Sequence, residues 1–453
     1  MKQPDPPQDV PQSEGDVNLS SLRESWQREH LDDETRALLE DDARYFLHQS
    51  LSTPCLNVLE GCEGSFLVDT QGRRYLDFHG NSVHQVGFGH PKVTEAIRQA
   101  LAELPFCTRR YTNRYAIDLA RKLAELSPGR LNKCLFAPGG AEAISMAIKL
   151  ARMATGRFKT VSMWDSFHGA TLDTISIGGE FLFRNGIGPL MPGSEHVPPP
   201  EPLRCPFKCG QTCTLQCADY VDYVLSKEGD VAAVIAETVR STGTIPSPAY
   251  WQQLREVCDR HGVLLILDEI PHGLGRTGSM FTCEQYGIVP DMLVIGKGLG
   301  GGSLPIAALL AREDLDIGKD RALGHFTHEK NPVLCAAALA TLQVIESQGL
   351  LERSRVLGAR FIGRLRELQQ RHRVIRDVRG IGLLAAVVLQ HPDGTSANGI
   401  AEQIMYRALS RGLSFKTAMG NTLVLTPPLT IEEEHLESAV EILDSCFSEL
   451  QTS

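Results

Sequence analysis

The sequence predicts an α/β fold with a large, mostly parallel-sheet domain and a smaller α+β domain, and two observations carry that reading. From Leu131 to about Val344, short apolar runs (KCLFA, TVSMW, AAVIAE, LLILDE, DMLVIG) alternate with helical patterns such as AEAISMAIKLARMA. That alternation marks a buried parallel sheet covered by helices. After about Ser347 the pattern changes to long charged helices, then strands (GLLAAVVL, TLVLTPPL), then a closing helix from Glu432 to Leu450. The boundaries follow: a flexible tail over 1–20, an N-terminal segment over 21–85, the large α/β domain over 86–346 and the small α+β domain over 347–453, with the N-terminal segment joining the last.

The tail, MKQPDPPQDVPQSEGDVNLS, is polar and proline-rich and has no charged segment leading into an apolar one, so neither an export nor a targeting signal is expected. Ser21 to Gln49 is charged and helix-like, with Leu22, Trp26, Leu31 and Leu38 as sparse apolar contacts. GSFLVDTQGRRYLDF alternates and turns at Gln71-Gly72, a hairpin signal. No apolar run reaches the roughly 18 residues of a membrane span, and a cytoplasmic protein is the simplest expectation. With 42% hydrophobic and 22% charged residues and a net charge of -10, the chain is globular in composition and lacks a nucleic-acid footprint.

Most of the 12 cysteines are scattered singly, as suits reduced thiols. Cys205, Cys209, Cys213 and Cys217 instead recur every four residues in CPFKCGQTCTLQC. That density could hold zinc or an iron–sulfur cluster, but the spacing matches no zinc pair well, and a surface insertion with free thiols is the plainer reading. No metal is assigned to the functional site.

The chemistry begins in LLILDEIPHGLGRTG, where a buried strand ends on Asp268 and Glu269. Ligands of open α/β sheets sit outside the carboxyl ends of strands, although a lone Asp there could simply cap the next helix. PDMLVIGKGLGGGSLPIAALL then places Lys297 just after a second buried strand, among Gly296, Gly298, Gly300, Gly301 and Gly302. Glycines let the backbone approach a bulky planar ligand, and a partly desolvated lysine has the lowered pKa that imine formation requires. An acid and a lysine on neighbouring strands point to pyridoxal 5'-phosphate, the carboxylate holding the pyridine nitrogen protonated and the amine forming a Schiff base. Gly139, Gly140 and Ala141 precede a helix whose N–H groups and dipole suit a phosphate. In WDSFHGAT, Phe167 could stack on the ring with His168 beside it, though a core Phe and a satisfied His would look the same. Thr327 in GHFTHEKNP is a further phosphate candidate.

In order, YLDF…GHP, GGAEA, FHG, AE, DEIPHGLGRTG, IGKGLGGG, THEKNP and TPPL resemble the class III (ω-) aminotransferase family, of the fold type I pyridoxal-phosphate transferase fold, over about residues 50–450. The resemblance implies a homodimer with its active sites at the subunit interface. It implies that Lys297 is the Schiff-base lysine, Asp268 the pyridinium partner, Phe167 the stacking ring, and Gly140 and Ala141 the phosphate amides. Thr327 would be a phosphate ligand given to the neighbouring subunit, and Glu237 the family's active-site glutamate.

Four departures from the family pattern gather round the same pocket. Pro271 stands where a Gln usually meets the cofactor's phenolic oxygen, a contact that His272 could replace. Arg240 occupies the Gln position of the segment after Glu237, and Glu329 and Lys330 replace small residues. Val424 stands where relatives that handle α-amino acids carry an Arg. A guanidinium clamps a carboxylate bidentately and a valine cannot, so transamination with glutamate is disfavoured. Arg240, Lys330, His84 and Arg110 could instead bind a phosphonate or phosphate.

These phrases resemble the lyases within the family. They imply an ammonia-lyase eliminating water from a small-molecule 1-hydroxy-2-aminoalkylphosphonate, with release of ammonia and phosphonoacetaldehyde. The alternatives are an ω-aminotransferase using pyruvate or another keto acid, a phosphoethanolamine phospho-lyase, and a non-catalytic binding protein, against which the intact Lys297 and Asp268 argue.

Overall fold

The computed structural model describes residue 15, residues 18–209 and residues 213–451. Most of the expected tail, residues 1–14, 16 and 17, lies outside the described residues. The helix-like segment that follows is two helices, Ser21–His30 and Asp33–Tyr45, each started by a side chain that accepts an orphan N–H: Ser20 from Arg23 (3.1 Å) and Asp32 from Thr35 (2.8 Å). Trp26 and Leu31 are buried as expected, whereas Leu38 is 44% exposed. The indole of Trp26 donates to the Ser410 hydroxyl (3.1 Å), tying the N-terminal segment to the helix Asn398–Ser410.

The expected hairpin pairs Phe66–Asp69 with Arg74–Asp77, its turn using Gly72 at φ 75°. Leu59–Glu63 adds on one side, and the C-terminal strand Leu413–Ser414 pairs in parallel with Arg74–Asp77 on the other. The N-terminal and C-terminal parts thus share one four-stranded sheet.

The central sheet has seven strands, in the order Lys133–Ala137, Ala307–Ala311, Met292–Ile295, Leu264–Asp268, Val231–Glu237, Lys159–Met163 and Ser194–Val197. From Met292–Ile295 onward every pair is parallel. Ala307–Ala311 runs antiparallel to both of its neighbours. The chain between it and Met292–Ile295 is the glycine turn carrying Lys297, too short for the crossover that a parallel partner needs. Buried on both faces, Val231–Glu237 is an unbroken apolar run before its terminal carboxylate.

A third sheet, antiparallel throughout, orders Ile375–Ile381, Leu384–Leu389, Thr422–Leu425 and Lys416–Ala418. It packs with Leu350–Arg371 and Asn398–Ser410, and the closing helix Glu433–Gln451 packs on those two helices. Among the described residues, no single helix is long and apolar enough to cross a membrane.

In the cysteine loop, Cys205 and Cys209 bring their Sγ atoms to 3.7 Å while Cys217 is buried in the helix Gln216–Glu228. Among the described residues no group of His, Cys, Asp or Glu is arranged to hold a metal ion.

Candidate active site

Parallel pairing sets Glu237 opposite Asp268 and Asp268 opposite Val294. The sheet therefore delivers Glu237, Asp268 and Lys297 from three adjacent strand ends into one cavity, which Gly140, Ala141, Phe167, His168 and Pro271 also line. Asp268 is 2% exposed and accepts hydrogen bonds from His168 Nδ1 (2.8 Å) and the Ile270 N–H (3.1 Å). A carboxylate only accepts, so the imidazole carries its proton on Nδ1.

The second acid does different work. Glu269 accepts from the N–H groups of Thr282 (2.6 Å) and Cys283 (2.7 Å) and from the Thr238 hydroxyl (3.0 Å), fixing the turn Thr282–Tyr286. Burial pushes its carboxyl up to about 7. It anchors structure, while Asp268 faces the cavity.

Lys297 sits at φ 45°, in the left-handed region that side-chain-bearing residues seldom adopt. A Cβ on Gly298 would stand 1.7 Å from Gln85 Oε1, so glycine is required beside the lysine.

The helix Gly140–Thr155 begins at Gly139 with no side-chain cap, leaving its first N–H groups directed at the cavity end. A Cβ on Gly140 would meet Ile270 Cδ1 at 2.7 Å, and one on Gly169, at φ 128°, would meet Ala141 Cβ at 2.6 Å. The small residues therefore keep an uncapped helix end clear. That helix end for a phosphate, the Asp268 carboxylate for a protonated ring nitrogen, the half-buried Phe167 and the adjacent Lys297 together fit pyridoxal 5'-phosphate.

The Phe167 N–H donates to Glu237 Oε1 (3.0 Å), and that oxygen lies 3.6 Å from Arg240 Nε. Arg240 is 6% exposed and also donates to the Asp165 carbonyl. It lines a separate cavity with Arg204, Arg379 and Glu201 that shares no lining residue with the one around Lys297.

Several other expected residues lie apart within one chain. Lys330 and Glu329 line a third cavity beside Cys134, and Thr327 is exposed. Arg110 is exposed and borders none of these cavities. His84 is fully buried, its basicity pushed down to about 3 by burial and then by nearby Arg276, so it offers no cation to an anion. The ring of His272 engages the Ser241 hydroxyl (3.0 Å), and Pro271, not His272, borders the cavity.

Val424 is 1% exposed in the third sheet, and directly across the antiparallel pair stands Lys416. That pairing depends on a strand register that no local sequence pattern reveals.

The family model Aminotransferase class-III matches residues 48–447. The chain is 47% identical, over 97% of its length and 95% of the relative's, to an (R)-1-hydroxy-2-aminoethylphosphonate ammonia-lyase of Vibrio splendidus (strain 12B01). It is 37% identical to a 5-aminovalerate aminotransferase of Pseudomonas aeruginosa, over 87% of this chain and 94% of that one. Among solved structures, a PLP-bound amine transaminase from an uncultivated Pseudomonas species superposes with a TM-score of 0.81 at 29% identity, covering 89% of this chain and 98% of that one. A transaminase from the marine bacterium Virgibacillus gives 0.85 at 26% identity, over 92% and 99% of the two chains. With a family match spanning residues 48–447 and relatives similar over nearly the whole chain, this protein belongs to the class III aminotransferase family.

Proposed function

We propose that this protein is a pyridoxal-phosphate-dependent ammonia-lyase that eliminates water from a 1-hydroxy-2-aminoalkylphosphonate, giving ammonia and phosphonoacetaldehyde. The near-full-length similarity to the Vibrio lyase supports the reaction class. The observation that carries lyase over transaminase is Val424, an apolar side chain buried in the strand where amino-acid-handling relatives place a carboxylate clamp.

When bound, pyridoxal 5'-phosphate supplies an electron sink for negative charge on the carbon that bears the substrate nitrogen. Asp268 holds a proton on the ring nitrogen, and His168 fixes the orientation of that carboxylate through its 2.8 Å hydrogen bond. The N–H groups of Gly140 and Ala141 would hold the phosphate, with the partner subunit's Thr327 as a further ligand in a homodimer. Phe167, steadied by Glu237 at its own N–H, would flank the cofactor ring. Lys297 Nζ binds the cofactor, removes the proton from the carbon bearing nitrogen, and returns a proton to the departing hydroxyl on the neighbouring carbon. Water is thereby lost, and the unsaturated amine left behind takes up water to yield the aldehyde and ammonia.

Arg240 supports the site through Glu237 rather than by touching substrate, and the partner subunit's Lys330 accompanies its Thr327. The protein works in the cytoplasm. Ammonia release from the holoenzyme given 1-hydroxy-2-aminoethylphosphonate without a keto acid tests the reaction. Orthophosphate release from phosphoethanolamine would favour the phospho-lyase, and turnover only with pyruvate the aminotransferase.

A further inference from the structure

We infer that Gln85 is a positioning residue for Lys297, its buried side-chain amide laid against the turn that carries the lysine and its main chain bonded to the small domain. The inference rests on the reading of Lys297 as the Schiff-base lysine and is independent of whether the reaction is elimination or transamination. Three observations carry it.

The first is the contact. The position of a Cβ on Gly298, the residue joined to the Lys297 carbonyl, falls within the Gln85 amide, whose Oε1, Cδ and Nε2 are the three atoms nearest to it. The same segment walls the end of the turn, since a Cβ on Gly302 would meet the Val83 carbonyl at 3.4 Å and His84 Cα at 3.8 Å. Lys297 holds φ 45°, and backbone of that kind persists only where its surroundings over-determine it. Inside the turn the Leu299 N–H donates to the Gly296 carbonyl and the Gly301 N–H to the Gly298 carbonyl, both at 3.0 Å. From outside, the Gln85 amide closes on it.

The second is the amide itself. Gln85 is 1% exposed, and neither Oε1 nor Nε2 has a hydrogen-bond partner among the described residues. A buried amide in that state lowers stability, whereas an apolar side chain of the same shape would be close to neutral or better. Packing therefore does not account for a glutamine here. A fixed dipole beside the peptide groups of a strained turn does, because such a dipole acts more strongly in a buried setting than in water.

The third is where its backbone is tied. The Gln85 carbonyl accepts from the Leu429 N–H (2.8 Å), just beyond the strand Thr422–Leu425. At the other end of the same segment the Phe78 carbonyl accepts from both the N–H (2.8 Å) and the hydroxyl (3.0 Å) of Thr426. Between these two ties, the Pro427 carbonyl accepts from the guanidinium of fully buried Arg276, in the loop that follows Asp268. One short stretch of the small domain thus holds both the segment that presses on the Lys297 turn and the loop leading from Asp268. Gln85 passes the placement of that stretch to the lysine.

The test compares the pyridoxal-phosphate-loaded protein with its Gln85→Met and Gln85→Glu variants. It reads denaturant unfolding, the pH midpoint of the bound cofactor's absorption without substrate, and kinetics on 1-hydroxy-2-aminoethylphosphonate, with pyruvate added if turnover requires it. Gln85→Met, similar in size but lacking the amide, is expected to unfold at a midpoint no lower than that of the unsubstituted protein and to shift the absorption midpoint. Its kcat is expected to fall about 10- to 100-fold with KM little changed, as misplacement of a reacting group does. Gln85→Glu keeps the shape and the acceptor oxygen while its buried carboxyl is protonated, so it is expected to recover most of kcat below the pH at which that carboxyl ionises. An unchanged absorption midpoint or kcat in Gln85→Met, a Gln85→Met variant less stable than the unsubstituted protein, or a Gln85→Glu variant no better than Gln85→Met would each overturn the assignment. Borohydride reduction, which fixes an imine, should attach the cofactor to the unsubstituted protein and not to Lys297→Ala. Attachment to both would end the lysine reading and the inference with it. Attachment to the unsubstituted protein alone, with Gln85→Met leaving the absorption midpoint in place, would keep the lysine reading and end the positioning role.

Discussion

Asp268 and His168 form a buried pair, the carboxylate accepting from Nδ1 at 2.8 Å with both side chains at most 2% exposed. The pair fixes both the orientation of the acid and the imidazole tautomer. Asp268→Asn removes the charge that keeps a ring nitrogen protonated, and kcat is expected to fall on the order of 10²- to 10³-fold, as when one preorganised electrostatic group is removed. His168→Ala leaves the acid in place but unsupported, with an expected loss of about 10- to 100-fold by analogy with other orienting partners. Steady-state kinetics on both variants would check the ordering, and a His168 effect as large as that of Asp268 would contradict the positioning role.

Lys297 combines an essential amine with a left-handed backbone at φ 45°. Lys297→Ala and Lys297→Gly both lose the amine and are expected to be inactive. Between them only the backbone preference differs, so the glycine variant should be the more stable by about 1 kcal/mol. Denaturant unfolding of the two cofactor-free proteins measures it, and equal midpoints would remove the strain.

Much of this site was legible in sequence, because its parts lie at element ends that local patterns mark. LLILDE and DMLVIG name buried strands, and the residues following them must emerge at one sheet edge, so Asp268 and Lys297 converge without any knowledge of packing. Gly139, Gly140 and Ala141 are visible for the same reason, at a helix start. Arg240 was less legible: sequence gives its proximity to Glu237, but only side-chain packing turns its guanidinium to Glu237 and the Asp165 carbonyl. His84 read as a possible cation, yet burial among Asp77, Gly80 and Arg276 keeps it neutral. The pairing of Lys416 with Val424 was illegible because it is a register set by tertiary structure.

The clearance round the helix end Gly140–Thr155 makes a direct prediction. A methyl group at Gly169 would sit 2.6 Å from Ala141 Cβ and 2.8 Å from Thr174 Oγ1. Overpacking of that kind costs about 1–3 kcal/mol. Moved onto the phosphate cradle, it corresponds to roughly tenfold or more in cofactor affinity. Gly169→Ala should therefore release pyridoxal 5'-phosphate more readily in equilibrium dialysis, whereas retention equal to the unsubstituted protein would place the cradle elsewhere.

His84 supplies a pH prediction. Its basicity is lowered from the usual 6.5 to about 3, mainly by burial. Below pH 6.5 the unfolded chain takes up a proton that the folded chain refuses, so stability is full above that pH and declines as pH falls toward 3. Asp77, raised to about 7 by burial, pulls the opposite way over part of the same range. The His84 share is isolated by comparing His84→Asn with the unsubstituted protein at pH 7 and pH 4.5. The variant should lose less stability on acidification, and an identical loss would contradict a neutral buried imidazole.

The most direct test of the whole account is ammonia release from the pyridoxal-phosphate-loaded protein given 1-hydroxy-2-aminoethylphosphonate, with keto acids absent. Ammonia and phosphonoacetaldehyde in equal amounts are the expected result. No ammonia, with turnover appearing only when pyruvate is added, would contradict the elimination and make the enzyme an aminotransferase.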